Sequence, residues 1–155
     1  MNDVPLKICN IYAPVDKTDR GALFDLIKPL TGSTALILLG DFNCILHAQD
    51  RQGTQTCYKV DVTSKKLSSL LADLNFKDAY RELHPRSSGF TWHSDKGTGL
   101  SRIDFIFLSK PLLTHSARIL TAPFTDHSAV CIFININPHS GRRPGVWRLN
   151  TSLLT

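Results

Sequence analysis

Two apolar runs with a helix-spaced segment between them constrain this chain more than any other feature. "LKICNIY", Leu6 to Tyr12, is rich in apolar and β-branched residues and stops before Ala13-Pro14, as a buried strand ended by proline does. "ALILL", Ala35 to Leu39, is apolar at every position, too uniformly for a half-exposed strand. Between them Leu23, Leu26, Ile27 and Leu30 recur at helical spacing, with Thr18 or Asp19 placed to cap the helix and Thr31-Gly32 to close it. Strand, helix, strand implies a parallel pair and an α/β fold. At 155 residues and 42% hydrophobic, the chain is long and apolar enough for one domain with a real core.

The rest of the chain fits this frame. Residues Asp50 to Asp61 have no apolar periodicity and read as a loop. Leu67, Leu70, Leu71 and Leu74 then predict a second helix capped by Thr63 or Ser64. "DAYRELHP" reads as a short helical turn, "GFTWHS" as an aromatic strand after the Ser87-Ser88-Gly89 turn, and "DKGTGLS" as a mobile connection. "RIDFIFLS" alternates, with Ile103, Phe105 and Phe107 on one face, and "HSAVCIFINI" is long enough to lie inside a sheet. Cys9, Cys44, Cys57 and Cys131 are scattered without a C-x-x-C pair, which points to reduced thiols rather than a disulfide framework or a zinc knuckle. The charge of +5 mildly favours an anionic partner. There is no membrane-length apolar segment and no signal-peptide pattern, so the reading predicts a soluble, intracellular protein with no membrane association.

Against this background the polar residues at strand ends stand out: Tyr12 after the first strand, Asp41 and Asn43 after the second, Asp126 and His127 before the last. Each alone has an ordinary explanation as a turn residue, a cap or a core aromatic with a satisfied hydroxyl. Asp104 is harder to dismiss, because it lies among apolar neighbours and a buried carboxylate needs a partner. Adjacent strand ends converge on one edge of an α/β sheet, which is where such folds place their chemistry.

The segments "NIYAP", "LGDFN", "SRIDFIFLS" and "TDHSAV", with "FTW" ahead of the third, run in order from Asn10 to Val130. Together they resemble the endonuclease/exonuclease/phosphatase family, which includes apurinic endonucleases, deoxyribonuclease I and the endonuclease domains of LINE-type retrotransposons. The fold implied is a two-sheet β-sandwich flanked by helices, DNase I-like, over residues 1–137. The tail "RRPGVWRLNTSLL" is similar to the segment that follows the endonuclease in LINE-type polyproteins, and makes 138–155 a linker toward a reverse transcriptase. The resemblance implies hydrolysis of DNA phosphodiesters with Mg²⁺, or Mn²⁺, no small-molecule cofactor, and a nuclear location if the retroelement reading holds.

By the same resemblance Asp41 would activate water or manage the leaving group's proton, and Asn43 would orient the phosphate. His127 would contact the scissile phosphate with its tautomer fixed by Asp104, and Tyr12 would donate its hydroxyl. The metal would sit near Asp41, Asn43 and Asp126, and Arg51, Trp92, Lys96 and Arg102 would meet DNA. Family members carry a metal-binding glutamate on an earlier strand, for which nothing before Tyr12 corresponds. The expectation is therefore an N-terminally truncated domain, lacking the first strands and impaired alone. A catalytically inactive remnant that still binds nucleic acid, and a phosphatase of the same fold, are the alternatives.

Overall fold

Strand β1 (Leu6–Tyr12) lies parallel to β2 (Ala35–Asp41) in the computed structural model, with the helix α1 (Lys17–Ile27) as the crossover. The structure describes residues 6–30, 35–53, 60–110 and 112–135. The linker at 138–155, Cys57 and the Thr31-Gly32 helix stop all lie outside those residues.

After β2 come a short strand β3 (Arg51–Gly53), helix α2 (Val62–Asp73), β4 (Phe76–Asp78) and a one-turn helix α3 (Ala79–Leu83). Strands β5 (Trp92–His93), β6 (Gly99–Ser101), β7 (Asp104–Ser109), β8 (Leu113–Leu120) and β9 (Ala129–Asn135) complete the order. The central sheet runs β1-β2-β7-β4, with β7 antiparallel to both β2 and β4. A small antiparallel sheet runs β3-β6-β5, and β8 pairs with β9. Among the described residues, no helix is long and apolar enough to cross a membrane.

Alternation along β2 and β7 explains the uninterrupted apolar run. Leu36, Leu38, Phe105 and Phe107 point to one face and pack with Phe24 and Ile27 of α1 and Leu67, Leu70 and Leu71 of α2. Ala35, Ile37, Ile106 and Leu108 point to the other and pack with Leu112, Ile132 and Ile134, where the β8–β9 pair covers the sheet. Both faces of β2 are therefore dry, and alternation of polarity is not needed. The architecture is mixed α/β: helices, central sheet and second sheet in layers.

Several local expectations need correcting. The helix caps are Asp16, whose carboxylate accepts the N–H groups of Thr18 and Asp19, and Asp61, which accepts from Ser64; a carboxylate two or three residues earlier outcompetes Thr18, Asp19, Thr63 and Ser64 for the orphan donors. Phe24 takes the core position on α1, while Leu26 is exposed. The loop at 50–61 contributes β3, and the connection at 95–101 ends in β6, because these short polar segments find backbone partners in each other. Ile103 precedes β7 and Asp104 opens it rather than lying within it. Among the described residues β9 pairs with β8 alone, not inside a larger sheet. Strands β4 and β8 carry no pattern that the sequence reading detected.

Arg20 ties α1 to α2 and to the exit of β1, and Gly40 lets β1 and β2 approach each other. Arg20 is 3% exposed; its guanidinium donates to Thr63 Oγ1, to the carbonyls of Pro14 and Val15, and to Asp61 Oδ2 at 2.9 Å. The carboxyl of Asp61 is held down at about 2: partial burial pushes it up, but the Thr63 hydroxyl, the Ser64 N–H and the Arg20 charge outweigh that. Gly40 has φ 125°, and a Cβ there would run into the Ile11 carbonyl oxygen across the β1–β2 ladder.

Gly40→Ala should therefore destabilise the chain by about 2 kcal/mol or more, combining a strained dihedral with a backbone clash, read as a lowered urea midpoint; an unchanged midpoint would contradict the geometry. Asp61 binds a proton less readily folded than unfolded, so its stabilisation is complete above about pH 4 and disappears as the pH falls toward 2. Asp61→Asn should accordingly flatten stability against pH in that window, measured by chemical denaturation.

Candidate active site

The directions of three strands gather the site. Because β1 and β2 are parallel, they end at the same edge, where Tyr12 is the partner of Asp41. Because β7 is antiparallel, its first residue, Asp104, is the partner of Asp41 on the other side. Tyr12, Asp41 and Asp104 thus form one row across the sheet. His127, from the segment before β9, completes it: its Nδ1–H donates to Asp104 Oδ2 at 2.9 Å.

The D-F-N triplet has a packing reason. Phe42 is fully buried, with its ring centroid 5.9 Å from that of Phe105 and 5.0 Å from that of Phe107. That anchor leaves Asp41 and Asn43 facing the cleft. Asn43 sits at φ 49°, a left-handed conformation that Asn tolerates better than most residues. Its N–H donates to Asp41 Oδ1 at 2.8 Å and its Nδ2 to the Ala13 carbonyl at 2.7 Å. The Ala13 N–H returns a bond to the Asp41 carbonyl, so the turn is stapled to the exit of β1.

Burial pushes the Asp41 carboxyl above the usual carboxylate range; the charge of Asp104 adds to this, while the Asn43 N–H and His127 oppose it. Ligand atoms of Asp41, Asp104 and His127 all lie within 4.8 Å of one another. Two close carboxylates, one of them raised, and an imidazole form a group whose crowded negative charge a divalent cation would relieve. The donor set fits such an ion.

Asp41 and His127 line a cleft of about 540 Å³ together with Tyr12, Asn43, Arg51 and Trp92. Tyr12 is 79% exposed, and Lys96 stands exposed in the turn between β5 and β6. Trp92 forms a bridge with His127 and donates its indole N–H to Asp126 Oδ2 at 2.9 Å. Asp126 is exposed on that side, outside the Asp41–Asp104–His127 group. Lys17 also lines the cleft, near the start of α1; no motif in its sequence surroundings marks it.

Arg102 is the clear correction among the residues expected to meet DNA. It is 1% exposed, donating to Asp50 at 2.9 Å and to Asp78 at 2.7 Å, with its guanidinium carbon 4.5 Å from the Phe105 ring centroid. Arg81 reaches Asp50 as well, at 2.6 Å. Asp50, fully buried, is the missed residue: at the start of a polar stretch it carries no sign that two arginines close over it. Arg102→Met should therefore cost about 3 kcal/mol or more by leaving a buried carboxylate short of its partner, seen as a large fall in the thermal midpoint, whereas a surface contact would leave that midpoint unmoved.

The model of the Endonuclease/Exonuclease/phosphatase family matches residues 8–127. A curated relative, the Transposon TX1 uncharacterized 149 kDa protein of Xenopus laevis, is 34% identical over 95% of this chain, which spans 12% of that protein. Among solved structures, an AP endonuclease from Archaeoglobus fulgidus superposes with a TM-score of 0.67 at 16% identity, covering 83% of this chain and 61% of its own. The 3′ phosphatase NExo from Neisseria, bound to a product DNA hairpin, superposes with a TM-score of 0.66 at 22% identity, covering 83% of this chain and 60% of its own. The chain thus shares the fold of these DNase I-like proteins while spanning three-fifths of their length, and with the family match extending over most of its sequence it belongs to the endonuclease/exonuclease/phosphatase family.

Proposed function

We propose that the chain is part of a Mg²⁺-dependent DNA endonuclease of a transposable element, with Mn²⁺ able to replace Mg²⁺ and chromosomal DNA in the nucleus as its substrate. The observation that carries this reading is the grouping of Asp41, Asp104 and His127 within 4.8 Å beside a cleft that Lys17 and Arg51 also line. Carboxylate oxygens suit a hard cation, and cationic side chains suit a phosphate chain. DNA as the substrate draws support from the DNA hairpin named with the Neisseria enzyme, and the transposable-element origin from the TX1 relative.

The ion would be held by Asp41, with Asn43 and Asp104 beside it, and supplies charge neutralisation on the phosphate and a more acidic bound water. The protein's own groups do the rest. Asp41, with its raised affinity for a proton, takes one from the attacking water or passes one toward the departing oxygen. His127, whose Nδ1–H is committed to Asp104, presents Nε2 to the scissile phosphate. Asn43 orients that phosphate, and the exposed Tyr12 hydroxyl donates to it. Trp92, Arg51 and Lys96 contact the flanking DNA.

The donor set supports a further element of the reading, weak metal binding by this chain alone. It holds two carboxylates, one already engaged with His127. Glu82, the single glutamate of the sequence, is on α3 and paired with Lys77 at 2.7 Å. A metal displaced by about 1 Å can cost on the order of 10²-fold in rate.

The 155-residue chain should show no Mg²⁺-dependent nicking of supercoiled plasmid above an EDTA control, and grafting on a family N-terminal segment that carries a metal-binding glutamate should restore it. In that restored protein, Asp41→Ala or His127→Ala should lower the rate by about 10² to 10⁴. Robust nicking by the unmodified chain, lost on Asp41→Ala, would refute the weak-metal element. Restored activity confined to releasing 3′ phosphate would favour the phosphatase alternative.

A further inference from the structure

We propose that Thr91 is the positioning residue that holds Asp104 and His127 in working register. Thr91 is fully buried, one residue before the half-buried Trp92. Its Oγ1 accepts two consecutive backbone N–H groups, those of Ile103 and Asp104, each at 3.1 Å. Its carbonyl accepts the N–H of Ser128, the residue after His127, at 2.7 Å, and its own N–H donates to the Ser101 carbonyl at 2.9 Å. The Ile103 carbonyl, in turn, accepts the N–H of Phe42, the residue after Asp41, at 2.9 Å.

Every corner of the Asp41–Asp104–His127 group is therefore within one residue of a backbone group tied to Thr91 or to Ile103, which Thr91 holds. The β2–β7 ladder pairs Asp104 with Asp41 but does not reach His127. Strand β7 begins only at Asp104, and the segment bearing His127 belongs to neither the central sheet nor β9. Without the hydroxyl, the His127 segment stays tied to the Thr91–His93 backbone, but the start of β7 loses its side-chain link to that backbone, and the His127 ring keeps its own 2.9 Å hydrogen bond to Asp104. A serine preserves the acceptor. A valine keeps the shape but leaves two N–H groups without it, which costs register rather than packing. The Asp104 carboxylate orients His127 through the ring's Nδ1, and loss of a partner of that kind typically weakens metal binding by about 10- to 100-fold.

This inference rests on the metal-dependent reading above, and its test separates the two. The unmodified chain, Thr91→Ser and Thr91→Val are labelled with ¹⁵N. The tautomer of His127 is read from its ring nitrogen shifts at about pH 9, where free imidazoles are neutral, and Mn²⁺ alone is titrated as the metal probe. The expected result is an Nδ1–H tautomer in the unmodified chain and in Thr91→Ser, its loss to a mixture in Thr91→Val, and Mn²⁺ binding weakened about tenfold in Thr91→Val only. The same tautomer in all three proteins, or a serine as disruptive as the valine, would overturn the role. If Thr91→Val does not fold, amide exchange in the unmodified chain decides: Ile103 and Asp104 should exchange as slowly as the β2 amides, and loop-like exchange at both would overturn the proposal. Failure of both the unmodified chain and the protein grafted with the glutamate-bearing N-terminal segment to bind Mn²⁺ would sink the metal-dependent reading instead, since the tautomer comparison needs no metal.

Discussion

The site depends on one arrangement: Asp41 lies between a parallel and an antiparallel neighbour. A parallel partner on both sides would put the start of the third strand at the far edge, and Asp104 would never meet Asp41. Burial makes Asp41 hold its proton more tightly, and the charge of Asp104, directly opposite it in the ladder, adds to this. The fold tolerates this because Phe42 and the Asn43 turn anchor the strand end from below and from the side. The Phe42 packing and the Asn43 Nδ2 bond to the Ala13 carbonyl are neutral and do not touch the carboxylate.

The buried charges on the other side of β7 follow a different rule. Asp50 and Asp78 are met by Arg81 and Arg102, so the charge there is balanced and enclosed. Such a network is weak evidence for stability, because desolvation offsets most of the attraction, but removing one member leaves an uncompensated ion. Its geometric effect is clearer. Arg102 also receives a backbone tie, its N–H donating to the Asp50 carbonyl at 2.7 Å, and this pins the residues leading into Asp104. The carboxylates of the Asp41–Asp104 pair stand instead where the cleft opens, on a wall that Lys17 and Arg51 also line. Structural and chemical charges are thus segregated within a few residues of each other.

Much of this was legible in the residues, for a physical reason. The β1–α1–β2 unit and α2 are written in local periodicity, which packing on both faces of β2 enforces residue by residue. Tyr12, Asp41 and Asn43 stand at strand ends, where a polar residue is conspicuous after an apolar run, and Asp104 is conspicuous among phenylalanines. The short strands β3, β4 and β6 were not legible, because a strand of three residues has no measurable period and exists only through its partner. The caps were misplaced for a similar reason. Asp16, Thr18 and Asp19 all qualify by type, and the path of the chain decides which carboxylate faces the free N–H groups.

By itself the sequence determined which elements form, which way their apolar faces turn, and which residue types are available for phosphate chemistry, since periodicity, turn chemistry and side-chain identity are local properties. Tertiary structure decided which of those residues meet. It brought His127 to Asp104 across 23 positions and closed Arg102 over Asp50 across 52. It also turned Asp126 toward Trp92 rather than toward the Asp41–Asp104–His127 group. A cation and a carboxylate look alike in sequence whether they face solvent or each other. Burial separates the two cases, and burial is set by strands far away in the chain.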